Sequence, residues 1–223
     1  MQLTKLIRTL LVEQFSAVGW ELEPSDEFDV IAFNKREASE LVFSFAANLG
    51  VHGYRFSNDP TVGVVHEETS ILNRRFLGLR TSSANTAIVG DTLQHLMPET
   101  GNELAPMTRW GALDKSGIEE ACAALFDDVN AYGLPFLRRF PTLDACIEHL
   151  LSIKRYPALN QHLAIALALK GRMSEALPIL TEYAAKAAEQ RPPLSTQTQT
   201  FVRNFLEYFH VPHDAVAVEV EPR

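Results

Sequence analysis

The sequence lacks the short motifs by which many enzymes are identified. It contains no GxGxxG or GxxxxGKS phosphate-binding loop, no GxSxG around a serine and no HExxH zinc pair. Its two cysteines, Cys122 and Cys146, form no CxxC pair, and two cysteines are too few for a disulfide framework. No run of about eighteen apolar residues is present, so the sequence predicts no membrane span. We therefore expect no nucleotide cofactor and no metal.

Positive charge is also scarce. The chain has 20 basic and 28 acidic side chains, a formal net charge of −8, which argues against binding to nucleic acid or to anionic lipid. An acidic surface instead favours a protein partner that is basic, such as a toxin or an enzyme. Arg8, Thr9, Glu13 and Gln14 interrupt the apolar residues of the first stretch, unlike a secretory signal, so we expect a cytoplasmic protein.

The N-terminal half changes from a helical to a strand-like pattern. Apolar residues recur at three- and four-residue steps from Leu3 to Val18, which predicts an amphipathic helix that ends at Gly19. The stretch GWELEPSDEFDVIAFNK predicts a hairpin, and SELVFSFAANLGVHG predicts a strand with alternate apolar side chains. Further strands are predicted at 61–66 and in TAIVGDTLQHL, whereas TSILNRRFLGL fits a short helix or an irregular turn.

The C-terminal half reads as helical throughout. Ser116 is predicted to cap a helix that Gly133 and Pro135 end, and helices follow at 142–152, 157–170, 174–190 and 196–210. This order predicts an α+β protein, with an antiparallel sheet and an N-terminal helix followed by an α-helical C-terminal part. The predicted division is an α+β domain at 1–115, a helical part at 116–211 and a tail at 212–223.

One stretch of the helical part resembles a known repeat. In HLAIALALKGRMSEALPIL, a large–small pair precedes a turn glycine, Gly171, and a small residue follows it at Ala176. Residues 158–188 therefore resemble a single tetratricopeptide-type helix pair, although Asn160 stands where an aromatic residue is usual and no second copy follows. The resemblance implies two closely packed helices, which either cap the α+β domain or form a peptide-binding groove.

The N-terminal part has a second resemblance. Its pieces are Phe15 with Gly19-Trp20, the strand ending in Asn48-Leu49-Gly50-Val51, the pair Arg74-Arg75 and the later Trp110. Together they resemble a family of bacterial domains of unknown function, and some small bacterial α+β proteins of this kind are immunity proteins. The resemblance implies that the chain neutralises a toxin by binding it.

Two acidic runs and three further side chains are the candidate partner-binding residues. The hairpin contributes five carboxylates, and the helix after Ser116 contributes four more at seven- and eight-residue spacings that predict a common side. Arg74, Arg75 and Trp110 are candidate anchors, because Trp and Arg are enriched at interface hot spots. The acidic residues are Glu21, Glu23, Asp26, Glu27, Asp29, Glu119, Glu120, Asp127 and Asp128. A solvated hairpin and helix would show the same pattern.

Three functions remain open from the sequence. The leading hypothesis is a non-catalytic, immunity-type inhibitor that binds a toxin or enzyme through its acidic surfaces. The second is a cytosolic adaptor that uses the helical pair as a docking groove. The third is a metal-dependent enzyme that uses His66, Glu67 and Glu68, although an ion-paired turn with Arg74 and Arg75 explains that run equally. Cys146 and His149 are adjacent on one helical face, but Cys146 falls among apolar residues and is predicted to be a core thiol.

Overall fold

The structure, a computed structural model, describes residues 2–24, 30–37, 40–52, 55–79, 86–98, 109–112, 114–153, 157–188 and 194–216. Within these ranges the predicted class is confirmed: the protein is α+β, with an antiparallel sheet, an N-terminal helix and a helical C-terminal part. None of the helices in this part of the chain is long and apolar enough to cross a bilayer.

The strands follow one another across the sheet in chain order. They are β1 (Glu21–Leu22), β2 (Val30–Arg36), β3 (Leu41–His52), β4 (Arg55–His66) and β5 (Val89–Thr92). The predicted hairpin is confirmed by the antiparallel pairing of β1 with β2, although its turn lies outside the described residues. In β3 the alternate residues from Leu41 to Leu49 are buried, as the period-two pattern predicts. The stretch predicted as one strand after Thr86 is shorter than expected and continues as α3 (Leu93–Leu96).

The helix α1 (Gln2–Ala17) supplies the core on one face of this sheet. Its Phe15 ring lies 4.8 Å from each of the Phe33 and Phe45 rings and 5.9 Å from the Trp20 ring, measured between centroids. Each such aromatic contact contributes about 0.5–1.5 kcal/mol beyond the area buried. Gly19 has a φ of +84°, which explains why the helix ends there.

The segment predicted as a helix or an irregular turn is a helix, α2 (Glu67–Phe76). Its end is closed by two backbone bonds, from Gly78 N–H to the Arg75 carbonyl and from Leu79 N–H to the Arg74 carbonyl. Gly78 has a φ of +69°, which this closure requires. The closure brings Leu79 back over the last turn of α2.

Two predictions about the helix near Ser116 are wrong. The capping side chain is Asp114 and not Ser116: it accepts hydrogen bonds from the Ser116 and Gly117 N–H groups at the start of the 3-10 turn (Lys115–Gly117) that leads into the helix. The helix α4 (Ile118–Asp128) also does not end at Gly133, because a π turn (Val129–Gly133) carries it into α5 (Leu134–Leu137). Pro135 follows the π turn directly and has no N–H to donate to the preceding turn of the helix.

Four helices complete the chain in the order predicted: α6 (Leu143–Ser152), α7 (Pro157–Leu169), α8 (Met173–Ala188) and α9 (Leu194–Tyr208). The helices α7 and α8 pack against each other across Gly171, whose φ is +72°. Ala164 and Ala176 are fully buried, and small residues at such positions allow close helix approach. The close pairing of these two helices is therefore confirmed, while their kinship to tetratricopeptide repeats stays a prediction.

The fold divides into two compact units. Unit 1 consists of residues 1–64 and 89–142, and unit 2 consists of residues 65–88 and 143–223. Unit 1 contains the sheet, apart from the last two residues of β4, with α1, α3, α4 and α5, whereas unit 2 contains α2 and α6 to α9. Each unit therefore draws on the chain on both sides of residue 115, and the division predicted there stays a prediction. Residues 217–223 of the predicted tail lie outside the described residues.

Candidate protein-binding surfaces

The net negative charge of the protein is confined to unit 1. The residues of unit 1 include 17 acidic and 9 basic side chains, which gives a formal charge of −8. Those of unit 2 include 11 of each sign, which gives zero. Because the units are assembled from separate chain segments, this segregation cannot be read from the linear sequence. The field that a charged partner would meet therefore originates in unit 1.

The acidic face of α4 carries three of the four predicted carboxylates. Ile118, Cys122 and Leu125 are fully buried and fix the inner side of the helix, which leaves Glu119, Glu120 and Asp127 exposed to solvent. Among the described residues, no ion pair joins Glu119 or Glu120 to a basic side chain. These carboxylates are therefore accessible to a partner.

The fourth carboxylate, Asp128, is not on that face, and the prediction that it shares the exposed side is wrong. Each helical residue is rotated by about 100° from the one before it. One step beyond Asp127 therefore turns the side chain of Asp128 toward the side on which Leu125 is buried. Asp128 is 2% exposed, so it cannot contribute to a solvated acidic surface.

Asp128 is instead the acceptor of a core hydrogen-bond cluster. Arg109 donates from Nε to Oδ2 at 2.5 Å and from Nη2 to Oδ1 at 2.9 Å, and Trp110 donates from Nε1 to Oδ2 at 2.8 Å. A buried carboxylate needs such donors to replace lost water. The same hydrogen bonds raise the pKa of the Arg109 guanidinium above its usual value.

Trp110 is therefore a core residue in this structure. Its indole is 1% exposed and is fixed by the bond to Asp128, so the prediction of an exposed anchor at Trp110 is wrong. Sequence reasoning missed Arg109 altogether. A signal was available, because an aspartate at an inward position of an amphipathic helix requires a strong donor nearby.

The hairpin places fewer carboxylates than predicted within the described residues. Glu21 is exposed on β1 opposite Asn34, and Glu23 is half-buried, with its N–H bound to the Ala32 carbonyl at 2.8 Å. The remaining three predicted residues, Asp26, Glu27 and Asp29, lie outside the described residues. Glu21 therefore adds to the exposed carboxylates of unit 1, and Glu23 adds a partly covered one.

The two arginines of α2 have different environments. Arg74 is 9% exposed, and its Nη1 lies 3.4 Å from the Ser70 hydroxyl oxygen, so the prediction of an exposed anchor is wrong for this residue. Arg75 is exposed, and its guanidinium carbon lies 5.1 Å from the centroid of the Tyr208 ring. This cation–π contact holds the Arg75 side chain in place on the surface of unit 2.

The run His66-Glu67-Glu68 forms the start of α2. The Nδ1 atom of His66 accepts a hydrogen bond from the Thr69 N–H at 3.2 Å and bonds the Thr69 hydroxyl at 2.8 Å. Glu67 and Glu68 stand in the first turn, where negative charge is favoured by the helix dipole. In the part of the chain that the structure describes, no three His, Cys, Asp or Glu side chains are placed to hold a metal ion.

The cysteines are core residues, as predicted for Cys146. Cys122 and Cys146 are both fully buried, and neither forms a disulfide. Burial raises the pKa of the Cys122 thiol to about 11, so this thiol is protonated at neutral pH. A nucleophilic cysteine needs the opposite environment, one that is polar and partly exposed.

Unit 2 contains a buried polar contact that the sequence did not indicate. His162 of α7 is 4% exposed, and its Nε2 lies 3.4 Å from Nδ2 of Asn73 on α2. Its Nδ1 has no hydrogen-bond partner among the described residues. Burial lowers the pKa of His162 to about 4, so the ring is neutral at physiological pH.

No protein-family model, no curated protein and no solved structure matches this chain.

Proposed function

We propose that this chain is a non-catalytic, immunity-type inhibitor that binds a basic toxin or enzyme in the cytoplasm through the acidic surface of unit 1. The observation that supports the proposal most is the confinement of the −8 charge to unit 1, together with the exposed carboxylates of α4. Such a field attracts a cationic partner and accelerates its association.

The interaction we propose is centred on Glu119, Glu120 and Asp127. They stand on one helix whose inner side is anchored by buried apolar residues, so the backbone that carries them is in place before the partner arrives. A preorganised helix loses less conformational entropy on binding than a loop does. Lysine or arginine side chains around a toxin's active site would pair with them.

The environments of the candidate catalytic residues also favour binding over catalysis. The Nδ1 atom of His66 is engaged by the first turn of α2, and Cys146 is enclosed in the core. Each of these residues has a structural role that accounts for its position.

The test uses the product of the gene adjacent to this one as the candidate toxin. We expect co-expression of this chain to restore the growth of cells that express that toxin, and we expect the purified proteins to form a complex. The triple variant E119Q/E120Q/D127N is expected to weaken the complex by about 10- to 100-fold, since each pair contributes up to about 1 kcal/mol. If growth is restored but the purified proteins form no complex, the proposal is contradicted. It is also contradicted if growth is not restored and no complex forms.

The matched control changes the net charge equally in unit 2. Asp144, Glu148 and Glu207 have side chains that are 58%, 65% and 58% exposed, and they lie on α6 and α9. The variant D144N/E148Q/E207Q is expected to bind like the original chain. Equal weakening by both triple variants would mean that net charge matters and that the α4 face does not.

The adaptor hypothesis has less support. A docking groove along the helix pair would need an open face on α7, yet every residue from Asn160 to Ala168 is buried. The pair more closely fits the other implication of the tetratricopeptide resemblance, a packed structural element.

A further inference from the structure

We propose that the exposed side of α2 is a self-complementary surface through which two copies of this chain form a two-fold symmetric dimer. The surface, called here the α2 stripe, consists of Glu68, Ile71, Arg75 and Leu79. Successive members are three or four residues apart, so the three on the helix lie along one side of it. All four are exposed.

The α2 stripe is unusually apolar for a solvated surface. Ile71 is 52% exposed and Leu79 is 47% exposed, the two largest exposed fractions among the large hydrophobic side chains of the described residues. The Tyr208 ring, 38% exposed, extends the patch because Arg75 stacks on it. Contiguous exposed apolar residues with a polar rim are typical of protein–protein contact surfaces.

The order of charges identifies the occupant as a second copy. Along α2, a carboxylate (Glu68) precedes the apolar centre (Ile71), and a guanidinium (Arg75) follows it. With a rise of about 1.5 Å per residue, Glu68 lies about 4.5 Å before Ile71 and Arg75 about 6 Å after it. If a second α2 runs antiparallel across a two-fold axis at Ile71, each Glu68 faces the other copy's Arg75. A parallel arrangement would place like charges opposite each other.

Two other features of the structure favour this contact. The Arg75 guanidinium is already held by Tyr208, so less side-chain freedom is lost when it pairs. The residues of unit 2 carry no net formal charge, so unit 2 as a whole does not add to the net repulsion between two acidic chains. The dimer uses unit 2 and therefore does not depend on the binding function proposed for unit 1.

The test exploits the symmetry of the contact. In Glu68→Arg both charges of the α2 stripe are positive, and in Arg75→Glu both are negative, so neither variant can pair with itself. We expect the original chain to show a concentration-dependent monomer–dimer equilibrium in sedimentation, and each single variant to dissociate at least about tenfold more readily. An equimolar mixture of the two variants is expected to dimerise again, and so is the double variant E68R/R75E.

Two controls accompany these measurements. Glu13→Arg makes the same change of charge at an exposed position of α1 and is expected to leave the dimer intact. Ile71→Glu places two carboxylates at the axis and is expected to give a monomer. Circular dichroism confirms that each variant is folded. A monomeric original chain at every concentration, or single variants that dimerise as well as it does, would overturn the proposal, as would a mixture that stays monomeric.

Discussion

Replacing Asp128 with alanine is expected to lower the free energy of unfolding of unit 1 by about 2–4 kcal/mol. The indole N–H of Trp110 would be left buried without an acceptor, which costs about 1–3 kcal/mol. Loss of the ion pair between Asp128 and Arg109 adds about 1 kcal/mol. Breaking a fully buried ion pair costs about 3–5 kcal/mol, but half of the Arg109 side chain is exposed and is hydrated again when Asp128 is removed.

Equilibrium unfolding in urea, followed by tryptophan fluorescence, measures this loss. Both tryptophans of the chain, Trp20 and Trp110, belong to unit 1, so their fluorescence reports the unfolding of that unit alone. The matched control is Asp127→Ala, the same change one residue earlier on the same helix. Because Asp127 is exposed, its replacement is expected to change the free energy by no more than about 0.5 kcal/mol.

A third variant separates the two donors of the cluster. Trp110→Phe removes one hydrogen bond and part of a buried ring but leaves the Asp128 carboxylate paired with Arg109, so a loss of at least about 1 kcal/mol is expected. If Asp128→Ala costs no more than Asp127→Ala, the assignment of Asp128 to the core is wrong.

Two further predictions concern the interior of each unit. Burial lowers the pKa of His162 to about 4. Between pH 6.5 and pH 4 the unfolded chain therefore binds a proton that the folded chain does not bind. As a result, the free energy of unfolding of unit 2 should fall by about 2 kcal/mol when the pH is lowered to 5. Circular dichroism during denaturation at neutral pH and at pH 5 measures this fall in stability. His162→Gln should remove the contribution of His162 to the pH dependence. If the pH dependence is unchanged in this variant, the loss of stability does not come from His162. In unit 1, Gly133→Ala should cost about 1–2 kcal/mol, because the close approach of its Cβ to Val62 Cγ1, 3.1 Å, outweighs the higher helix propensity of alanine. Gly117→Ala, whose Cβ would meet Ala112 Cβ at 3.4 Å, should cost less, and equal costs would contradict the packing argument.

The helices and strands that the sequence predicted correctly are those whose apolar period is long and unbroken. The N-terminal helix and the strand from Leu41 are examples, because their period follows from local backbone geometry. The prediction failed where a tertiary contact overrides a local rule about where a helix ends. Gly133 reads as a helix stop, yet here a residue without a Cβ is needed beside Val62, and the helix continues past it through a π turn.

Tertiary contacts also decide which residues belong to the candidate surface, as two neighbouring aspartates show. Asp127 and Asp128 are adjacent and chemically identical, so composition does not separate them, and helical spacing indicates only that Asp128 lies nearer the buried side. Their environments differ because α4 turns Asp127 to solvent and Asp128 toward the donors on Arg109 and Trp110, which lie 19 and 18 residues earlier in the chain.

The sequence by itself determined the α+β class, most of the helices and strands, the acidic balance and the absence of a recognisable catalytic motif. These properties depend on composition and on periods that span a few residues. Only the tertiary structure decided that the net charge belongs to unit 1, that Asp128, Trp110 and Arg74 are enclosed, and that Ile71 and Leu79 are exposed. Those outcomes depend on which distant segments pack together, and side-chain burial is fixed by that packing and not by neighbours in the chain.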